Sequence, residues 1–228
     1  MKTKFGAIVV DGRGKSGGHV FSKNKSGSYM RTKKSPANPR STAQLGVRSR
    51  MTSNSQGWKG LTAAQVLAWN AAAKSWTKHN VFGDKHNPSG FNLYMWLNNN
   101  LGNIGSSLLT DPPLAASVGA FATFSATMAK GTPAVSLAFT AAIPASAKVI
   151  IRATPGIGTG KSYIKNQLRQ IGVMTTANTT PFNALTMYTT KYGVVPVAGQ
   201  TVFFTATFVT IATGQAGTPI QCSCVVSA

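Results

Sequence analysis

The fold of the C-terminal half is best predicted from the run Thr201-Val202-Phe203-Phe204-Thr205-Ala206-Thr207-Phe208-Val209-Thr210-Ile211. Three of its apolar side chains, Val202, Phe204 and Phe208, share one parity. Because the side chains of a strand alternate between two faces, this parity predicts a strand with one face in a core. The other parity mixes threonine with apolar residues, so we expect the second face to be half covered.

Six more runs share this texture of Thr, Val, Ala, Phe and Ile broken by Gly and Pro. Seven short strands at such spacing predict an all-β, Ig-like sandwich. The other six runs are Ala120–Thr127, Ala134–Thr140, Lys148–Thr154, Ser162–Val173, Ala184–Tyr192 and Pro219–Val226.

The N-terminal part is predicted to be an α+β module that begins with short strands. Phe5–Val10 is an apolar run, a glycine-containing turn follows at Asp11–Gly14, and His19–Lys23 and Ser28–Lys33 flank Ser26-Gly27. Apolar runs separated by glycine turns are typical of short strands.

About three helices are predicted next. The first follows Pro39 with Ser41 as N-cap and runs to about Ser53, with Leu45 and Met51 facing inward and Arg48 and Arg50 outward. The second starts at the capping-box pair Thr62 and Gln65, and the third follows Pro88-Ser89. Their apolar faces are Val66, Trp69, Ala73 and Trp76 in the second, and Phe91, Tyr94, Leu97 and Leu101 in the third. We interpret the tryptophans as core residues, with base stacking by Trp58 or Trp96 as the alternative.

Charge divides the 228 residues unevenly. The chain has 23 Lys and Arg against three aspartates, Asp11, Asp84 and Asp111, and a net charge of +20. Residues 1–50 carry twelve of the cations, whereas residues 192–228 carry no charged side chain. We therefore predict a basic module at 1–105, a linker at 106–117 around Pro112-Pro113, and the sandwich at 118–228.

The scarcity of carboxylates excludes most enzyme classes. The chain contains no glutamate, and paired-carboxylate hydrolysis, calcium loops and Mg²⁺-dependent phosphoryl transfer all need clustered acids. His19, His79 and His86 show no metal-ligand spacing and no nucleophile elbow is present. We predict no enzymatic activity, no catalytic or metal residues and no cofactor.

One glycine-rich motif resembles a phosphate-binding loop. Pro155–Ser162 reads PGIGTGKS, but Pro155 stands where the pattern requires glycine, and the residues that follow are typical of a strand. We therefore interpret it as the tip of a β-hairpin.

The spacing of the cysteines predicts no disulfide, and the hydropathy pattern predicts neither a signal peptide nor a membrane-spanning helix. Cys222 and Cys224 stand two apart in a predicted strand, which keeps them on one face and too divergent for an unstrained disulfide. The basic start, Met1–Gly6, lacks the apolar region of a signal peptide. No uninterrupted apolar run approaches the ~18 residues of a membrane-spanning helix.

The basic N-terminal block is the strongest functional signal. Its segment Tyr29–Arg40 places four cations in an extended, proline-limited stretch, which can lie along a phosphate backbone or on an acidic protein surface. An ordinary solvated face mixes both signs of charge, and this block does not. We therefore predict contact with a polyanionic partner through Lys23, Lys25, Arg31, Lys33, Lys34, Arg40, Arg48 and Arg50.

An ordered set of short motifs in this module resembles a module of uncharacterised bacteriophage structural proteins, relatives of which occur beside prophage genes. The motifs are GKSGGHVF at 14–21, GSYMR at 27–31, NPRSTAQ at 38–44 with Arg48, and Trp58, Leu61-Thr62 and Trp69. The resemblance covers about the first 105 residues, and this chain departs from the pattern by having Ser41 before Thr42. The C-terminal half is similar to fibronectin-III and immunoglobulin-like domains.

The resemblance implies a virion protein of the shell, neck or tail that docks on other virion proteins or on packaged nucleic acid. Uncharged, threonine-rich sandwich faces also suit a homo-oligomer in a symmetric assembly. The alternative hypothesis is a free, sequence-nonspecific nucleic-acid-binding protein.

Overall fold

The chain divides into two compact units. The computed structural model describes residues 1–6, 11–38, 40–158, 160–161 and 164–228. Unit 1 comprises Met1–Asn99 with Leu109–Ala115, and unit 2 comprises Asn100–Leu108 with Ala116–Ala228. The described residues form four helices, one large and mostly antiparallel seven-stranded sheet, and two small sheets. The predicted mixed α+β class with a β-rich part is confirmed.

Unit 1 begins with a small antiparallel sheet. Its strands are β1 (Gly14–Ser16), β2 (His19–Asn24) and β3 (Gly27–Thr32), in that spatial order. Gly27 has φ +103°, a left-handed conformation that favours glycine in the turn between β2 and β3. Both strands predicted on either side of this turn are confirmed. The predicted run Phe5–Val10 lies outside the described residues from position 7 onward.

Two helices follow, and hydrogen bonds to their first turns define where they begin. Helix α1 is Thr42–Lys59 and helix α2 is Ala63–Ala72. The Ser41 hydroxyl accepts from the Gln44 N–H at 3.4 Å. At α2 the capping box is complete, because the Thr62 hydroxyl accepts from the Gln65 N–H while the Gln65 side chain accepts from the Thr62 N–H. Both predicted N-caps are confirmed, whereas Pro39 lies outside the described residues.

The predicted length and inner face of α1 are wrong. The helix continues six residues beyond Ser53, and Leu45 and Met51 are 49% and 44% exposed rather than buried. Only Asn54 is buried, and its side-chain amide donates to the Asn99 Oδ1 at 3.4 Å. The helix packs through its C-terminal half, so a face inferred from its N-terminal half finds no partner there.

The rest of unit 1 is a two-stranded ribbon and a helix that carries most of the core. The ribbon pairs β4 (Lys78–His79) with β5 (Lys85–His86), and helix α3 is Gly90–Asn103, of which residues 90–99 belong to unit 1. Trp69 is fully buried and meets Tyr94 edge-on at 5.3 Å between ring centroids. The described helices include none that is long and apolar enough to cross a bilayer.

The seven-stranded sheet of unit 2 is antiparallel except for one pair. Strand β12 lies parallel to β6, and the strand order is β10-β7-β6-β12-β11-β8-β9. The strands are β6 (Phe124–Ala129), β7 (Ala134–Phe139), β8 (Ala147–Ala153), β9 (Arg169–Met174), β10 (Phe182–Asn183), β11 (Thr201–Thr210) and β12 (Ile220–Ser227).

The core of unit 2 is centred on β11, which lies within the run Thr201–Ile211. Val202, Phe204 and Phe208 of β11 are buried, as their shared parity predicts. The opposite face is covered more than expected, since Thr205, Thr207 and Val209 are also buried. Strand β11 is therefore a central strand covered on both faces.

One predicted strand of unit 2 is wrong. Ala184–Tyr192 contains helix α4 (Leu185–Tyr192), whose Tyr188 is fully buried and donates to the Thr154 carbonyl at 3.1 Å. The tyrosine and threonine content favoured a strand, but the spacing of Leu185, Tyr188 and Tyr192 fits one helix face.

The predicted strand Ser162–Val173 is confirmed only for its second half. Residues 164–168 form turns and β9 begins at Arg169, while positions 162–163 lie outside the described residues. The glycine-rich motif before it lies in the connection between the antiparallel neighbours β8 and β9, with Thr159 and Ser162 also outside the described residues.

Candidate functional site

Unit 1 carries most of the charge of the chain. It contains sixteen of the 23 Lys and Arg and all three aspartates, which gives a formal charge of +13. The ion pairs found among the described residues are Lys4–Asp84 at 3.1 Å, Lys23–Asp11 at 3.6 Å and Arg13–Asp11 at 3.7 Å. The carboxylate of Asp111 accepts hydrogen bonds from Gln65 and Thr110.

Most of the predicted site residues take part in none of these ion pairs. Lys23 is the exception, because it shares Asp11 with Arg13. Exposed cations without a carboxylate repel one another, and an external polyanion relieves this repulsion. Six of the predicted site residues are exposed and take part in no ion pair found among the described residues: Lys25, Arg31, Lys33, Lys34, Arg40 and Arg48.

One face of the β1–β3 sheet carries several cations. Lys15, Val20 and Arg31 lie opposite one another across the three strands, so their side chains share one face. Lys2 lies opposite Tyr29 on the same face, with its ammonium 5.8 Å from the centre of the Tyr29 ring. This face therefore groups Arg31 with two cations that the sequence prediction did not include.

The segment after β3 carries three of the predicted residues. The Lys33 N–H donates to the Gly18 carbonyl at 2.7 Å, which ties the start of the segment to the sheet. Lys34 and Arg40 are exposed, and Arg40 has φ +51° directly before the N-cap of α1. The described part of this segment contains no helix or strand, as the extended-stretch interpretation expects.

Helix α1 combines charge with uncovered apolar side chains. Arg48 is exposed and Arg50 is half-buried. Val47, Met51, Asn54 and Trp58 recur at intervals of four, three and four residues, which places them on one helix face. The C-terminal end of this stripe is covered, because Trp58 packs edge-on against Tyr94 at 5.3 Å, whereas Val47 is 51% exposed.

Three chain segments of unit 1 form a cleft of about 650 Å³. The turn between β2 and β3 contributes Lys25, the β4–β5 ribbon contributes Lys78 and His86, and α3 contributes Asn92 and Trp96. None of the lining residues is a carboxylate. The cleft is therefore basic, amide-rich and bordered by one indole ring.

Hydrogen bonds hold the turn between β2 and β3 beside the β4–β5 ribbon. The Asn80 amide donates to the Ser26 carbonyl at 3.3 Å, and the Lys2 ammonium donates to the same carbonyl at 3.0 Å. Asp84 accepts from Asn80 at 2.9 Å and pairs with Lys4, and these two hydrogen bonds lower the pKa of its carboxyl. These contacts fix Lys25 near the ribbon.

Lys78 is the most unusual cation of the cleft. Its ammonium lies 3.6 Å from the centre of the Trp96 ring, and it faces His86 across the ribbon. Burial disfavours the charged form and lowers the pKa of Lys78. The His86 Nδ1 is buried and has no hydrogen-bond partner among the described residues.

The structure brings only Lys25 of the predicted site residues to this cleft. Lys78 was missed because it lies outside the basic block of residues 1–50. The repeated Lys-His at 78–79 and 85–86 around Gly83, which has φ +83°, is the sequence signal that marks the ribbon. Trp96 is half-buried and packs edge-on against Trp76 at 5.6 Å.

The two cysteines of unit 2 are unbridged thiols on one side of β12. Burial raises the pKa of Cys222 to about 12 and that of Cys224 to about 11. Thiols in this state are poor nucleophiles and poor metal ligands. Among the described residues, no group of three or more His, Cys, Asp and Glu side chains is arranged to hold a metal ion.

Comparison of the chain with protein-family models, with curated proteins and with solved structures found no match.

Proposed function

We propose that this protein is a bacteriophage virion structural protein, associated with the capsid, neck or tail, whose unit 1 docks on a polyanionic partner. The observation that carries the proposal is the separation of charge. Unit 1 holds a formal charge of +13 with few internal ion pairs, and the last 37 residues of unit 2 hold no charged side chain. The resemblance of the N-terminal motifs to phage structural modules supplies the virion location.

Unit 2 is, in this proposal, an Ig-like sandwich. In Ig-type lettering, β7, β6 and β10 correspond to strands B, A and E, and β12, β11, β8 and β9 to G, F, C and C′. The strand order supports this assignment, because the strands fall into these two groups and the parallel β6–β12 pair joins them. Many unrelated functions use such sandwiches, so the fold alone does not specify the partner.

The partners are other virion proteins, copies of the same chain and packaged nucleic acid. Helix α1 supports docking on protein, since Leu45, Val47 and Met51 are exposed beside Arg48. Exposed apolar side chains next to a cation suit an interface with a partner whose contact surface has an acidic rim.

Mass spectrometry of purified particles tests the virion proposal. Phage particles are banded from the host that carries the gene, and their proteins are digested. We expect peptides from both units at a constant ratio to the major shell protein across the gradient fractions. Absence of the chain from infectious particles would contradict the proposal.

A free, sequence-nonspecific nucleic-acid-binding protein is the second candidate function. The exposed, unpaired cations favour it, because each phosphate contact releases counterions. If about six phosphates are engaged, log K falls against log salt with a slope near −5. A filter-binding titration that gives a flat salt dependence would rule out this function and leave protein docking.

A further inference from the structure

The basic cleft of unit 1 has the size and chemistry of a ligand site. Its volume of about 650 Å³ falls within the range of small-molecule pockets, ~300 to 1,000 Å³. Such a volume admits one or two nucleotides of a single strand. A DNA duplex is too wide to enter.

The positive charges of the cleft favour the binding of an anion. Lys25 is exposed at its edge without an ion pair among the described residues, and Lys78 lies within it, partly desolvated against Trp96. Since no carboxylate lines the cleft, no internal group neutralises the two ammonium groups. A phosphate between them would supply the missing counter-charge.

The other lining groups favour a nucleotide over an acidic peptide. The exposed Asn92 side chain offers an amide that both donates and accepts, which suits the polar edge of a base. The half-buried Trp96 indole, one face of which carries the Lys78 ammonium, adds an apolar wall beside which a base can lie. An acidic peptide needs the cations but has no use for this wall.

We propose that this cleft binds a short segment of single-stranded nucleic acid, with Lys25 and Lys78 on a phosphate and Asn92 and Trp96 beside a base. The inference rests on the polyanion-binding part of the proposed function and specifies one site for it. It is independent of whether the protein resides in a virion.

The test measures the affinity of the full chain for a fluorescently labelled oligothymidylate of about eight nucleotides at low salt. The variant Lys25→Gln/Lys78→Gln removes the two cations of the cleft. Its matched control is Lys59→Gln/Lys74→Gln, which removes two exposed cations of the same unit that do not line the cleft. Both variants have the same net charge.

We expect the cleft variant to bind about tenfold more weakly and the control to stay within about twofold of the wild type, since charge-assisted hydrogen bonds depend on position. Equal weakening of both variants would overturn the cleft proposal and leave a diffuse polyanion surface. Wild-type protein that does not bind the oligonucleotide at all would overturn both the cleft proposal and direct contact with nucleic acid. Docking on acidic protein would then remain.

A second pair of variants guards against misfolding of the first. Asn92→Asp places a carboxylate in the cleft from an exposed position, and Gln56→Glu makes the same change on α1 outside it. We expect only Asn92→Asp to weaken binding. Polyglutamate and a duplex of matched length serve as competitors for the labelled oligothymidylate. If polyglutamate displaces the probe as effectively as unlabelled single-stranded DNA does, the assignment of nucleic acid as the ligand of the cleft is overturned.

Discussion

At the scale of single residues, hydrogen bonds from two tyrosine hydroxyls to buried backbone carbonyls hold helix α4 in unit 2. The Tyr188 hydroxyl is buried in unit 2 and donates to the carbonyl of Thr154, which is itself fully buried. Burial raises the pKa of Tyr188 above its ordinary value, so the hydroxyl remains a donor throughout the neutral range. Tyr192 makes a similar bond to the neighbouring Ala153 carbonyl at 2.7 Å but is half-buried.

The variant Tyr188→Phe is expected to destabilise the protein by about 1 to 3 kcal/mol, because it leaves the Thr154 carbonyl buried without its partner. Tyr192→Phe should cost less, since the hydrogen bond from Tyr192 to the Ala153 carbonyl is only partly buried. Urea unfolding followed by far-UV circular dichroism measures both. Equal and negligible effects would show that neither hydroxyl stabilises α4 against β8.

The two thiols of β12 make stability depend on pH. Folding raises the pKa of Cys222 and Cys224, so both thiols are neutral in the folded state when the unfolded state begins to ionise near its ordinary thiol pKa of 9.0. Their contribution is complete below that pH and is lost as pH rises toward 11 to 12. We expect the unfolding free energy to fall between pH 8 and 10 by less in Cys222→Ala/Cys224→Ala than in the wild type. A parallel pH profile in the two proteins would contradict this.

At the scale of elements, helix α1 is divided between packing and exposure. Its C-terminal half is held by Asn54 and Trp58, whereas Val47 is 51% exposed and Met51 is 44% exposed, with its sulfur accepting from the Asn99 amide. Substitutions at uncovered positions usually change stability by less than ~0.5 kcal/mol. The exposed end of the stripe is therefore expected to add little to the stability of unit 1, and in the proposed function it is the part that meets a partner.

The variant Val47→Ser/Met51→Ser should leave the unfolding midpoint of unit 1 nearly unchanged and should reduce incorporation of the protein into particles. By contrast, Leu97→Ala in α3 should cost about 2 to 5 kcal/mol, because Leu97 is fully buried. All four tryptophans lie in unit 1, so tryptophan fluorescence in urea follows this unit. Strong destabilisation by the serine pair would mean that the stripe is part of the core.

Elements with a strong local signal were predictable from the sequence, and those that depend on tertiary packing were not. Strand β11 and the capping box of α2 follow from parity and from a fixed residue spacing. Helix α4 was missed because its Thr and Tyr favour a strand, and the burial of Tyr188 in the core of unit 2 decides the outcome. The cleft was not predictable, since a ribbon of two-residue strands has no periodicity and Lys25, Lys78 and Trp96 meet only in the fold.

At the scale of the whole molecule, the arrangement of charge matters more than its total. Unit 2 also carries seven cations and no carboxylate side chain, so a purely bulk effect of charge would involve both units. The two units can be compared directly, because a matched set of four exposed cations outside any ion pair of the described residues can be chosen in each. They are Lys33, Lys34, Arg40 and Arg48 in unit 1, and Lys130, Lys161, Lys165 and Lys191 in unit 2.

Replacing either set by glutamine lowers the net charge by the same four units. If unit 1 is the polyanion-binding surface, the unit 1 variant should reduce the salt slope of nucleic-acid binding by about 3 to 4, at ~0.9 per phosphate contact. The unit 2 variant should leave the slope within error of the wild type. Filter-binding titrations between low and moderate salt measure all three proteins. Equal reductions would mean that binding follows net charge and that the concentration of cations in unit 1 has no functional role.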